Sequence, residues 1–467
     1  MNLPPLFVER TRRLLGDEQY PIFEEALQRE VPVSVRPNRS KCALPVPGEP
    51  VPWASSGRYL SGRPTFTFDP LFHAGCYYVQ EASSMFVEQA LQTYVQAPAV
   101  MLDLCAAPGG KSTLCRSVLP EGSLLVANEV VRNRSQILAE NLIKWGHPEV
   151  VVTHNDPADF TPLTHLFDVI LTDVPCSGEG MFRKDETAVE EWSIENVELC
   201  RQRQRRILND IWPALKPGGI LIYSTCTFNR EENEDNVAWI ADCLGAEVLP
   251  VPVRPEWGVT GNLAGEEFPV YRFLPHRTRG EGFFLAVLRK QAGETTTVSL
   301  RPEKKKKGKE NKNRPQPSVV PKELKGWLKE PDAFTLSVQD AVVTAFPKAH
   351  VGVYAVLRQY LKVIHAGIVL AEQKGKDWIP QHALAMTAAG AEGAFPQAEV
   401  TYEQAIAYLR KEGLVLEDSV PRGYVLLTYR RIPLGFVKNI GNRANNLYPQ
   451  EWRIRSGYLP EEVVTVY

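Results

Sequence analysis

Between residues 100 and 290 the hydrophobic positions fall into short apolar runs separated by longer amphipathic stretches. The runs lie at 100–104, 124–128, 150–153, 169–172, 220–223 and 283–288, and the stretches 132–145 and 194–215 carry helical periodicity. Short, nearly continuous apolar runs alternating with helices predict strands buried on both faces and joined by helical crossovers. The fold class expected is therefore α/β, a doubly wound Rossmann-like sheet. Ligands of such sheets bind beyond the carboxyl ends of the strands.

The flanks read differently. Residues 6–27 suit two short helices broken around Gly16, 31–35 a strand, and 42–75 an irregular or β-containing segment rich in proline, glycine and aromatics. Tyr77–Gln80 then leads into a helix that ends near residue 94. Residues 291–321 are polar, proline-containing and lysine-rich, the composition of a flexible basic linker that can attract phosphate without selectivity. Beyond it, 351–361 and 362–370 read as a small β-rich unit, 402–411 as a helix, and 424–429 and 434–439 as strands. From Arg422 to Arg455 seven basic residues face one acid, Glu451, with Tyr424, Tyr429, Phe436, Tyr448 and Trp452 interleaved. That mixture suits RNA, through phosphate contacts and base stacking, although a solvated face over an ordinary core has the same composition. The expected domains are an N-terminal α+β RNA-binding unit (1–95), the α/β unit (96–290), the linker (291–321), a small α/β or β-rich unit (322–415) and a basic C-terminal module (416–467).

Composition narrows the picture only a little. With 467 residues, 44% hydrophobic and 23% charged, and a net charge of −2, the chain has the balance of a globular protein of about three domains. Its eight cysteines form no CxxC pair and no secretory leader precedes them, so free thiols in a reducing, cytoplasmic compartment are expected. No apolar run approaches the roughly 18 residues of a membrane span. The histidines form no HxxxH spacing, and no metal is expected.

Candidate chemistry gathers at the predicted strand ends. Met101–Ser112 reads as strand, glycine turn and helix N-terminus, whose first N–H groups lack internal partners and suit a polar or anionic ligand group. A phosphate-binding loop would need glycine where Cys105 stands, and Pro108 lacks an N–H, so that reading is set aside. S-adenosylmethionine explains more: its amino-acid end would sit on Cys105, Ala106, Ala107, Pro108, Gly109, Gly110 and Lys111. Glu129, twenty residues beyond Gly109, would hold the ribose, and Asp156 the adenine amine. Asp173 ends the fourth run, with Cys176 just beyond it, and Cys226 follows the fifth. A cytosine carbon 5 becomes nucleophilic only after a thiolate adds at carbon 6, and a base must later remove the carbon 5 proton. Cys226, Cys176 and Asp173 offer a thiolate, a proton-transfer group and an acid for N3; spacing does not say which cysteine attacks. A buried, inert pair of small apolar side chains is the competing reading. Cys42, Cys76, Cys115, Cys200 and Cys243 are expected to be packing residues, and Cys105 to line the turn through its backbone.

Leu104–Lys111, Asp173–Gly180 (DVPCSGEG) and Tyr223–Thr227 (YSTCT) resemble the signature motifs of the RNA cytosine-C5 methyltransferases of the Sun (RsmB/RsmF) family, over about residues 25–290. Leu434–Asn439 and Asn445–Arg453 resemble the C-terminal PUA-like module of the bacterial 16S rRNA methyltransferase F group. The resemblance implies an S-adenosyl-L-methionine-dependent enzyme acting on RNA, with Cys226 as nucleophile, Cys176 assisting release, and Cys105–Lys111, Glu129, Asp156 and Asp173 as cofactor contacts. Val174 stands where many members carry alanine. The resemblance alone points to 16S rRNA, free or in the small ribosomal subunit, as the partner; tRNA methylation, or an inactive RNA-binding assembly factor, is the alternative. A monomer is expected.

Overall fold

The computed structural model describes residues 2–291 and 320–467. The linker expected over 291–321 therefore lies, apart from its ends, outside the described residues. At the centre is a nine-stranded sheet: β1 (Val100–Asp103), β2 (Leu124–Asn128), β3 (Val150–Thr153), β4 (Phe167–Asp173), β5 (Leu215–Thr225), β6 (Ala246–Leu249), β7 (Tyr271–Phe273), β8 (Phe283–Lys290) and β9 (Val363–Ala366). The order is β6-β8-β5-β4-β1-β2-β3-β9, with β7 paired to β8. The five strands β3-β2-β1-β4-β5 are parallel, while β8 and β9 flank them antiparallel on the two sides, with β6 beyond β8. The α/β doubly wound reading thus holds. β4 and β5 are longer than their apolar runs because they pair with each other beyond them, Phe167 with Leu215 and Asp173 with Ser224.

The helices that pack on this sheet include α1 (Gly110–Val118), α2 (Arg132–Trp145), α3 (Ile194–Ile211) and α4 (Glu234–Leu244). Two apolar layers sandwich the sheet. On one face Met101, Leu125, Val152, Val169 and Ile222 pack with Leu114, Leu138 and the N-terminal residues Trp53, Tyr59, Phe86 and Leu91. On the other Leu102, Val126, Ile170 and Leu221 pack with Ile207, Leu208 and Ile211 of α3 and Val237 and Ile240 of α4.

The C-terminal part departs from its pattern in two respects. Residues 351–361, expected to be β-rich, form the helix Val351–Tyr360. Its β-branched residues suggest strand, yet Leu357 and Leu361, with Val353, Tyr354 and Val356, lay one face on the second apolar layer, and tertiary burial overrides local propensity. Val363–Ala366 then joins the central sheet as β9 rather than a separate unit, against β3. Two smaller sheets complete the C-terminal part: Phe334–Gln339, Val342–Pro347, Ile368–Lys374 and Asp377–Pro380, all antiparallel, and Gln397–Glu399, Gly423–Tyr429, Ile432–Asn439 and Ala444–Asn446. The last shares one core with the N-terminal segment, Val425, Leu427 and Tyr448 packing with Leu71, Cys76 and Tyr77. Cys243 is exposed, so it is not the packing residue expected; Cys42, Cys76, Cys115 and Cys200 are buried. Among the described residues no helix is long and apolar enough to cross a membrane.

Candidate active site

The turn after β1 is built from backbone. Gly109 holds φ at 115°, a left-handed conformation costly to any residue with a Cβ, and caps the N-terminus of α1. The turn is braced from several sides. Arg134 Nη2 donates to Ala107 O at 2.9 Å, Asn141 Nδ2 to Pro108 O at 2.8 Å, and the Ala106 N–H to Asn128 O at 2.9 Å. The buried Arg36, from the N-terminal unit, reaches Thr113 Oγ1 at 2.6 Å and Gly110 O at 3.4 Å, with its guanidinium 4.5 Å over the Trp145 ring. Neither Arg36 nor Asn128 was legible as a site residue. Asn128 donates to Leu104 O and Asn155 O and accepts from Thr153 Oγ1, so one amide ties three strand ends together.

The acids stand at the carboxyl ends of β1 to β4. Asp103 is fully buried; burial pushes its carboxyl up to about 7, Ser112 Oγ donates to Oδ2 at 2.6 Å, and Oδ1 has no partner. Glu129 is nearly buried, with Oε1 accepting the Val131 N–H at 2.8 Å and Oε2 3.6 Å from Arg134. Asp156 accepts the Ala158 N–H at 3.1 Å, capping a short 3-10 turn, and lies 3.5 Å from Arg206. Asp173 accepts from Ser224 Oγ at 2.8 Å, its parallel neighbour on β5, and pairs with Lys111 Nζ at 2.8 Å. Burial opposes the Lys111 ammonium, but Asp173 outweighs it and holds the group above its ordinary range.

Beyond β4 and β5 the two cysteines meet. Cys176 Sγ is 3.0 Å from Cys226 Sγ and 3.3 Å from the Cys226 N–H. The hydrogen bond to Cys226, then burial, pushes the Cys176 thiol well up. Gly180 admits no Cβ, because one would lie 2.8 Å from Cys226 O, and its own N–H donates to that oxygen at 2.8 Å. The N-terminal helices Pro5–Leu15 and Tyr20–Ala26 support both loops from behind, through Phe7 on Phe182 and Phe23 on Phe228, each pair with ring centroids 5.0 Å apart. A cavity of about 640 Å³ lined by Arg36, Ser117, Trp145 and Lys329 lies apart from this cluster and holds neither cysteine.

Three family models match this chain. Residues 90–289 match 16S rRNA methyltransferase RsmB/F, residues 3–82 the N-terminal domain of 16S rRNA methyltransferase RsmF, and residues 395–454 the methyltransferase RsmF PUA domain. The ribosomal RNA small subunit methyltransferase F of Erwinia tasmaniensis is 31% identical, over 98% of each chain. This chain belongs to the RsmB/F methyltransferase family. It is accordingly a methyltransferase that uses S-adenosylmethionine. The family member of the same name from Aliivibrio salmonicida is 34% identical over 88% of this chain and 86% of that one. A solved methyltransferase homologue from Pyrococcus horikoshii is 30% identical over 61% of this chain and 94% of that one, with a TM-score of 0.53.

The residues present fit that cofactor. Asp103 offers a buried carboxylate oxygen without a partner beside the turn, the first N–H groups of α1 are open, and Glu129 offers a carboxylate at the end of β2. Glu129→Ala is expected to weaken cofactor binding by about tenfold or more, since each charge-assisted hydrogen bond contributes about 1.5–3 kcal/mol. Titration calorimetry measures this; unchanged affinity would remove Glu129 from the site.

Proposed function

We propose that this protein methylates carbon 5 of a cytosine in 16S rRNA, through a covalent bond between Cys226 and carbon 6. The observation that carries the reading is the 3.0 Å approach of Cys176 and Cys226 beside the Lys111–Asp173 pair. Burial and the neighbouring sulfur oppose ionisation of Cys176, while the Lys111 ammonium is within electrostatic reach of Cys226, which leaves the attack to Cys226. Cys176, kept protonated, is suited to proton exchange rather than to attack.

The residues then divide the work. The Cys226 thiolate adds to carbon 6, and Asp173, oriented by Ser224 and Lys111, faces the pyrimidine at N3. Bound S-adenosylmethionine supplies the methyl group that carbon 5 accepts. Carbon 5 then loses its proton to a base, and the Cys226–carbon 6 bond breaks to return the thiolate. Cys176 assists this release. Asp156 is assigned to the adenine end, with Arg206 beside it, and Cys105 to the floor of the turn. The N-terminal and C-terminal units, which share a core, are proposed to hold the RNA.

Incubation of the protein with labelled S-adenosylmethionine and either 16S rRNA, small ribosomal subunits or tRNA, followed by nucleoside mass spectrometry, tests the reading. Labelled 5-methylcytosine in 16S rRNA or the subunit is expected. Label in tRNA would move the substrate, and no transfer to any of them would leave an RNA-binding assembly factor.

A further inference from the structure

The two cysteine loops are held together by two buried carboxylates, each of which belongs to one loop and binds the backbone of the other. Glu179 lies three residues beyond Cys176. Its Oε2 accepts the N–H groups of Phe228 and Asn229, just after Cys226, at 2.7 and 2.8 Å, and Oε1 accepts Trp192 Nε1 at 2.9 Å. Glu232 lies six residues beyond Cys226. It accepts the N–H of Ser177, next to Cys176, at 3.0 Å, together with Gln204 Nε2 at 2.7 Å and Asn229 Nδ2 at 2.8 Å. Both are buried, and their partners are all N–H donors, which only carboxylate oxygens satisfy in full. Burial pushes Glu232 up to about 7, with the Ser177 and Asn229 donors acting in the opposite direction.

We infer that Glu179 and Glu232 are positioning residues, Glu179 setting the place of Cys226 and Glu232 that of Cys176. Neither has the reach of a reacting group in this arrangement, because its oxygens are committed to backbone and side-chain donors. Each cysteine is thereby placed by a residue from the opposite loop, and neither loop can shift without breaking charge-assisted hydrogen bonds to the other. The inference rests on the reading of the cysteines as a working pair, though not on which of them attacks.

The test uses the full-length variants Glu179→Gln and Glu232→Gln, which keep side-chain size but turn one acceptor into a donor facing an N–H group. They are run beside Cys226→Ala and Cys176→Ala, with S-adenosylmethionine and 16S rRNA, on denaturing gels. Glu179→Gln is expected to follow Cys226→Ala and Glu232→Gln to follow Cys176→Ala, whichever cysteine proves to be the nucleophile. Adduct levels should differ from the unaltered protein by about tenfold or more, with cofactor affinity by calorimetry unchanged. A second readout needs no RNA: phenylarsine oxide bridges two adjacent thiols with loss of water, and peptide mass spectrometry reads the 176–226 bridge. Both glutamine variants should form it about tenfold more slowly. Should the alanine variants show no adduct difference, the proposed mechanism fails, and the arsenical still decides the positioning role. Unchanged bridging, identical adduct behaviour of the two glutamine variants, or a parallel loss of cofactor binding would overturn it.

Discussion

Cys226→Ala is expected to form no covalent complex with RNA, and Cys176→Ala to accumulate one. Both variants should be nearly inactive in turnover, so a rate assay does not separate them; a retarded band on a denaturing gel does. The expectation comes from the thiol pair. Ionisation of Cys176 is opposed by its hydrogen bond to Cys226 and by burial, whereas Cys226 has the Lys111 ammonium within electrostatic reach. Loss of Cys226 removes the atom that bonds carbon 6. Loss of Cys176 leaves that atom and the cofactor turn untouched but removes the group assigned to the release step. A retarded band with Cys226→Ala and none with Cys176→Ala would reverse the two roles. No band with either would remove the covalent route.

Glu234→Ala is expected to cost about 3–5 kcal/mol of stability, the range for leaving one member of a buried ion pair without its partner. Arg272 and Glu234 are both essentially inaccessible to water. Arg272 Nε donates to Glu234 Oε1 at 2.6 Å, Nη2 to Oε2, and Nη1 to Phe228 O at 2.6 Å. The pair therefore ties the N-terminus of α4 to β7 and to the segment just beyond Cys226. Carboxylates at the first turn of a helix also offset its N-terminal partial charge. Removal of Glu234 leaves a guanidinium in an apolar layer with one carbonyl for company. The midpoint of thermal unfolding should fall by about 2–4 °C for each kcal/mol. The double replacement Arg272→Met with Glu234→Leu should recover much of the loss, because no charge is then left buried. Equal midpoints for Glu234→Ala and the unaltered protein would show that the pair contributes nothing net.

Much of the fold was legible in the chain because the parallel strands are buried on both faces, and such strands must be short apolar runs. β2 and β3 stand where their runs predicted, and α2 spans the predicted helical stretch. The turn after β1 was legible for a different reason: Gly109 needs a left-handed backbone, a requirement written in one residue. The carboxyl-end rule then places Glu129, Asp156, Asp173 and Cys226 on one side of the sheet before any side-chain position is known. Where local pattern and tertiary burial disagreed, as in the helix Val351–Tyr360, burial decided.

What the tertiary structure alone decided are the relations between distant segments. Arg36 looks like one arginine just beyond a strand run until the fold lays it, buried, against Thr113 and Trp145. Glu232 stands close to Glu231, Glu234 and Asp235 in the chain, and the approach of α3 and the Cys176 loop buries it completely. Spacing along the chain could not show that Cys176 and Cys226, fifty residues apart, stand 3.0 Å from each other, because that depends on the parallel register of β4 with β5. Local sequence determines which residues favour strand, turn or helix through short-range sterics and hydrophobic periodicity. Which polar groups are stripped of water and held against one another depends on contacts between segments far apart in the chain, and these form only when the sheet closes.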